Sequence, residues 1–532
     1  MDVVFVNGKV FTADPARSWA RAVAVSDGRI VAVGNESEMA AHLDGSELID
    51  LEGRLLTPGF TDAHVHPAHG GEKLLGCNLL DATGAEEAMA IVSHYARAHP
   101  DREWIRGGGW SQDWFPRGCP SVESLDELVG DRPVVLVNRD GHGAWVSSAA
   151  LRMAGVTAST ADPPDGRIER LEDGSPQGTL HEGAMDLVES VMPPVTDAEL
   201  EKALLVGQQH LLSLGITGWF DAWVDADLHR AYRRVAGRGE LVGSVEAALL
   251  WDNHQGLEQI ERLQEWRRQP APGYRPDSVK LVLDGVFENH TAAMIDPYEG
   301  VGGHGIDMID PDRLKEIVPA LDAAGFRCHF HAIGDGAVRN ALDAVEMARI
   351  RNGWTSLRHS ICHLQVVHPD DVARFHRLGV TANIQPLWAC ADGYQEELTL
   401  PFLGPTRSGW QYPFASLLRA GATLVGGSDW SVSTCDVMEQ IQVATTRVRA
   451  GDGSLPPLNA AQRLDPVTAL AAFTAGSAWH NHEEGRRGVI AVGIVSDLAV
   501  MDRDPFVDGP FAEASVDLVM TGGGWAAGKE AP

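Results

Sequence analysis

Lysine is nearly missing from this chain: Lys9, Lys73, Lys202, Lys280, Lys315 and Lys529 are all it has, against a formal net charge of -31 over 532 residues. Nucleic acid and anionic membranes are recognised by basic patches, so neither is expected as a partner. Cysteine is also sparse. Cys77, Cys119, Cys328, Cys362, Cys390 and Cys435 show no Cys-x-x-Cys spacing, which gives no basis for a disulfide framework or a zinc finger and fits a reducing cytoplasm. No apolar run approaches the length that spans a bilayer. The opening residues 1–6 lack a basic n-region and a long h-region, so they read as a strand rather than a signal peptide. Internal repeats and low-complexity tracts are absent too.

What is present is a chain long enough for a sizeable core. The first fifty residues alternate apolar runs (3–6, 10–11, 22–25, 30–33) with Asn7-Gly8 and Asp27-Gly28, which signals hairpins and antiparallel sheet. Short strands recur near the end, over 488–493, 497–501 and 516–520. Neither end is long enough for a core of its own, so the two are expected to meet in one small sheet domain. Between them, strand-like segments (55–66, 216–221, 279–284, 326–333, 357–364, 380–384, 423–428) alternate with helical patterns (311–324, 337–349, 369–378, 436–448). This is the signature of a parallel α/β fold. Several of the strands end in charged or imidazole groups, as at the C-terminal face of a (β/α)8 barrel. Residues 70–205 break the rhythm and read as one barrel strand plus a large insertion over the mouth.

The chemistry concentrates at those strand ends. In Asp62-Ala63-His64-Val65-His66, residues two apart share a face, so both imidazoles point together and can grip a metal. Phe326-Arg-Cys-His-Phe-His331 repeats the pattern, with His331 as the better ligand candidate and His329 either a core histidine or a support behind the ligands. His363 ends the next such strand above His359, which reads as packing. Asp429 ends another, and suits a ligand that also takes a proton, or an N-cap. Lys280 interrupts the apolar strand on the face of Asp284. It is either an ion pair with that residue or a neutral amine able to take up carbon dioxide and bridge metals as a carbamate. Nitrogen and oxygen donors without thiolate suit Zn2+, one ion or two, with Mn, Ni or Fe as other options.

With these motifs on view, the chain resembles the amidohydrolase superfamily, and within it family 3, which includes N-substituted formamide deformylases. The resemblance runs through Asn7-Gly-Lys-Val-Phe-Thr12, Pro58-Gly-Phe-Thr-Asp-Ala-His-Val-His66, Asp140-Gly-His-Gly-Ala-Trp145, Val279-Lys-Leu-Val-Leu-Asp-Gly285, His331-Ala-Ile-Gly-Asp335, Arg358-His-Ser-Ile-Cys-His363 and Gly427-Ser-Asp429. It implies an α/β fold: a (β/α)8 TIM-type barrel over 57–476, a composite N- and C-terminal β-sandwich from 1–56 plus 477–532, and the insertion within about 70–205. It also implies a carboxylated Lys280 and metal ligation by His64, His66, Lys280, His331, His363 and Asp429. Glu288-Asn-His-Thr291 departs from the serine- and arginine-containing loop of many relatives, which bears on the leaving group.

The expected reaction is cleavage of the C–N bond of a small N-substituted amide by metal-activated water. Asp429 would act as general base and then general acid. His142 is a candidate hydrogen-bond donor to the oxyanion or substrate, or else a loop-fixing histidine. The aromatic insertion suggests an apolar pocket with Trp110 and Trp114, while Arg139 would pair with a carboxylate and favour an N-acyl amino acid. Asp284 joins these as a substrate-contact candidate. The rival readings are a mononuclear deaminase of an amidine-like heterocycle and, less favoured, a non-enzymatic assembly module. The expected partner is a small-molecule amide, and a homodimer is the assembly allowed for.

Overall fold

The computed structural model describes residues 2–451 and 454–528. Eight parallel strands follow one another through a single sheet: Phe60–Val65 (β1), Ile216–Val224 (β2), Ser244–Leu250 (β3), Tyr274–Val282 (β4), Arg327–Ala332 (β5), Ser360–His363 (β6), Thr381–Ile384 (β7) and Leu424–Gly426 (β8). The segment leaving β8 runs back beside β1, where Asp429 N donates to the His64 carbonyl and His66 N to the Trp430 carbonyl, each at 2.8 Å. The sheet is thereby a nearly closed barrel. β1, β5, β6 and β7 are buried at every position, because their outer faces lie against helices and their inner faces fill the barrel.

The covering helices Pro311–Ala323, Asp335–Asn352, Pro369–Leu378 and Val437–Thr446 start close to where the sequence places them. Asp310 accepts from the backbone N–H groups of Asp312 and Arg313, and Asp436 from those of Met438 and Glu439. These carboxylates satisfy donors that have no partner within the helix.

Three expectations for the barrel strands and the N-terminal hairpins change. The eighth barrel strand is not in the insertion but is β3. Its pattern was hidden by Glu246, a carboxylate buried inside the strand with Arg327 Nη2 at 3.0 Å. Segment 55–66 is two strands: Leu55–Pro58 pairs with Lys9–Phe11 and Leu498–Met501, and β1 begins only after Gly59. Asn7-Gly8 closes no hairpin, since Val3–Val6 and Lys9–Phe11 lie in different sheets. The Asp27-Gly28 hairpin does form, with both residues at positive φ (49° and 73°), as a two-residue turn of this kind requires.

The N- and C-terminal strands share one six-stranded sheet. It meets the four-stranded N-terminal sheet over a cluster that includes Val3, Phe5, Ile30, Leu56, Leu498 and Met520. Residues 488–493 hold no strand, whereas Gly524–Gly528 does. The insertion builds its own six-stranded sheet from Cys77–Asn78, Ile105–Trp110, Val134–Asn138, Gly143–Val146, Gly166–Arg170 and Pro176–Glu182. Helix Pro67–Leu75, directly after His66, packs against Asp197–Ser213 with almost no separation. A Cβ on Gly71 would lie 1.8 Å from the Ala203 carbonyl oxygen. Among the described residues no helix is long and apolar enough to cross a membrane.

Candidate active site

The inward-facing residues at the C-terminal ends of β1, β6 and β8 meet. His64 Nε2 lies 3.5 Å and His66 Nε2 3.1 Å from Asp429 Oδ1, while His363 Nδ1 is 3.7 Å from Asp429 Oδ2. The His331 ring is 4.5 Å from that of His363, centre to centre. His331 Nε2 donates to the Gly285 carbonyl at 3.3 Å, which leaves Nδ1 for other work. His363 and Asp429 hold left-handed backbone conformations (φ 74° and 55°). Such geometry is costly for side chains other than glycine and clusters at functional sites. It turns both residues at the point where their strands end.

Lys280 is buried on β4, and Nζ has Cys362 Sγ at 4.0 Å. Among the described residues no carboxylate stands within ion-pair distance of it, so the Lys280–Asp284 pair is not formed. Asp284 instead accepts three backbone N–H bonds, from Ala293 (2.9 Å), Ile333 (3.0 Å) and Gly334 (2.9 Å). It is fully buried behind His331 and does not line the cavity. Its expected contact with substrate is therefore replaced by the pinning of two loops.

The donor set fits a divalent ion. His64 Nε2, His363 Nδ1 and Asp429 Oδ1 are buried with no hydrogen-bond partner, and these three side chains bring ligand atoms within 4.8 Å of one another. Burial, reinforced by neighbouring positive groups, pushes the imidazoles of His64, His331 and His363 well below their ordinary range. They are thus neutral and present lone pairs, as metal ligation demands. Behind them, His329 Nε2 lies 2.7 Å from His64 Nδ1, and His329 Nδ1 lies 2.8 Å from Ser360 Oγ. Buried His359 sits apart, bonded to Asp322 Oδ1 at 2.9 Å.

This cluster opens into a cavity of about 1340 Å³ between the barrel and the insertion, whose wall includes Lys280, His142, Arg139, Lys73 and Trp388. His142 Nδ1 lies 2.7 Å from Glu182 Oε2, and Glu182 Oε1 accepts from Thr291 Oγ1 at 2.8 Å. Burial alone would lower the His142 pKa, but the Glu182 charge and hydrogen bond carry it up to about 9. Trp110 and Trp114 do not line the cavity. Trp110 is fully buried in the insertion core, where Nε1 donates to the Leu136 carbonyl at 2.7 Å. Trp114 packs beside it under the Arg139 guanidinium, 5.8 Å from the ring centre. Trp104 does line the cavity, whereas Trp110, Trp114, Phe115 and Trp145 pack in the insertion, because a separate sheet needs a core of its own. Sequence reasoning missed Glu182, Lys73 and Trp388. A ring stack of Trp388 on His363, 5.2 Å between centres, has no local sequence signal.

Residues 47–524 match the profile of the amidohydrolase family. The chain belongs to that family. This amidohydrolase is 29% identical to the protein LONG AFTER FAR-RED 3 of Arabidopsis thaliana, over 94% of the chain and 87% of that protein. It is 27% identical to an N-substituted formamide deformylase of Arthrobacter pascens, over 95% of the chain and 94% of that protein. The fold is that of an uncharacterized metal-dependent hydrolase from Pyrococcus horikoshii (TM-score 0.75, 24% identity, covering 95% of this chain and 98% of that one). The amidohydrolase is thus a hydrolase acting on carbon–nitrogen bonds other than peptide bonds.

Proposed function

We propose that this amidohydrolase hydrolyses the C–N bond of a small N-substituted amide, a formamide or a related acyl amide. The observation that carries the reading is a set of buried ligand atoms without hydrogen-bond partners, on the neutral imidazoles of His64 and His363 and on the Asp429 carboxylate, at the floor of a large cavity. His64, His66, His331, His363, Asp429 and a carboxylated Lys280 would hold one or two divalent ions, zinc foremost. A divalent ion there supplies Lewis acidity and lowers the pKa of coordinated water from about 15.7 to roughly 7. The Asp429 carboxylate takes the proton of the attacking water and returns it to the departing nitrogen. His142, held protonated by Glu182, donates a hydrogen bond to the acyl oxygen as negative charge develops there. The similarity to an enzyme named for deformylating N-substituted formamides supports the choice of bond.

The test is metal content of the purified protein, followed by amine release from formamides, acetamides, N-acyl amino acids and aminated heterocycles. Metal-dependent release of amine from the formamides or acetamides is expected; ammonia release from heterocycles alone would replace the reading with deamination. One observation favours N-acyl amino acids within the panel. Lys73 and Arg139 both line the cavity, and Lys73 Nζ donates to the Arg139 and Ser431 carbonyls at 3.3 and 3.4 Å. Among the described residues no carboxylate stands within ion-pair distance of either side chain, so a substrate carboxylate would find two cations available.

A further inference from the structure

We propose that Cys119, Glu169 and His181 form a second divalent-metal site, outside the catalytic cavity and on the opposite face of the insertion strand that carries Glu182. Side chains alternate along Pro176–Glu182, so Gln177, Thr179 and His181 share the face that Glu182 does not. Gln177 Nε2 donates to the Cys119 carbonyl at 2.9 Å and Thr179 Oγ1 to the Pro120 carbonyl at 2.8 Å. These two bonds clamp the 119–120 backbone onto the strand and hold the thiol over it. His181, the next residue on the face, is 1% exposed. Its Nε2 lies 3.9 Å from Cys119 Sγ and 3.2 Å from Glu169 Oε1.

The three ligand atoms fall within 4.8 Å of one another. Zinc bonds of about 2.3 Å to sulfur and about 2.0–2.2 Å to nitrogen and oxygen, opened at the tetrahedral angle, give ligand–ligand edges of roughly 3.4–3.6 Å. The two measured separations bracket those edges and the third, from Sγ to the carboxylate, falls within 4.8 Å, a distance that side-chain rotation can close. One sulfur, one imidazole nitrogen and one carboxylate oxygen are also a donor set that suits zinc. Cys119 is only half-buried, which leaves a side open to water as the fourth ligand. The His181 Nδ1 atom is buried without a partner, so the ring is not held by a hydrogen bond from behind.

Without an ion, the thiol donates to the Arg117 carbonyl at 3.2 Å, and burial pushes its pKa up to about 12. Metal binding would release that proton. Glu169 is already ionised near neutral pH. Burial would raise it, but His181 and Arg167 together bring it down to about 2. Arg167 Nε donates to the same oxygen at 2.8 Å and supplies part of the charge balance. An ion here would tie the loop bearing Trp114 and Cys119 to the strand whose last residue holds His142.

The experiment replaces the metals of the full-length protein with Co2+. A thiolate-to-cobalt charge-transfer absorption is expected, lost in Cys119→Ser and kept in Cys362→Ser, the control for the one thiol near the catalytic cluster. In the unmutated protein zinc should slow alkylation of Cys119, read by peptide mass. His181→Gln should lose the same absorption and the same protection. No absorption in the unmutated protein, or absorption that survives Cys119→Ser, would overturn the proposal. So would alkylation of Cys119 at the same rate with and without zinc.

Discussion

His64 Nδ1 lies 2.7 Å from His329 Nε2, so one ring nitrogen of a candidate metal ligand is engaged inside the barrel and the other is aimed at Asp429. Both rings are neutral by burial, and Ser360 anchors the far side of His329. A neutral imidazole that donates its one N–H from Nδ1 presents its lone pair from Nε2, so His64 serves as a ligand when His329 Nε2 accepts from it. His329 therefore sets the direction of His64 without reaching the cavity itself.

His329→Ala should lower metal affinity about 10- to 100-fold, the usual effect of losing a partner behind a ligand, with the fold retained. Competition against a chelator measures it. Unchanged affinity would reduce His329 to packing.

Lys280 should carry a carbamate. Intact mass under non-denaturing conditions should show the added carbon dioxide, and Lys280→Ala should lose activity that short carboxylic acids partly restore. An unmodified lysine in a metal-replete, active protein would favour a mononuclear site.

Asp429→Asn keeps the shape of the side chain but removes the group that accepts a proton. Turnover should fall about 10²- to 10⁴-fold, by far more than metal content. Equal loss of both would make Asp429 a ligand only.

The His142–Glu182 pair sets an alkaline limit. Because the folded pKa of His142 is raised to about 9 from an ordinary value of about 6.5, the contribution of its protonation to stability is whole below the ordinary value, while Glu182 stays ionised, and is lost as pH rises through the folded one. Its hydrogen bond to the acyl oxygen disappears over the same window, so kcat/KM should fall above about pH 9. In Glu182→Gln burial is opposed only by the weaker pull of the Asp140 and Asp429 charges, and the falling limb should move to lower pH. A limb that stays in place would remove His142 from the reaction.

Trp110→Ala should cost about 3–5 kcal/mol of stability, as for other large buried aromatics. KM should hold at temperatures where the variant is folded. Denaturant titration and steady-state kinetics separate the two, and a KM effect without loss of stability would return Trp110 to the cavity wall.

The ends of β1, β5, β6 and β8 were legible in the sequence because strand periodicity is local. His-x-His on an otherwise apolar run fixes which side chains share a face, whatever the rest of the chain does. The shared N- and C-terminal sheet was legible for a similar reason, since neither end carries enough apolar surface to stand alone. Strand β3 was not, because Glu246 spoils an apolar pattern and becomes tolerable only when Arg327, from another strand, is buried beside it. The same holds for Trp110, Trp388 and Glu182. An aromatic run in an insertion has the same composition whether it faces a cavity or a private core, and the side chain that meets His142 is 40 residues away along the chain. Residue type and period specified which histidines and carboxylate gather at the barrel mouth and the strands that bear them. Which lysine is left without a carboxylate, which histidine is held from behind and which tryptophan is hidden were decided only by packing between distant segments.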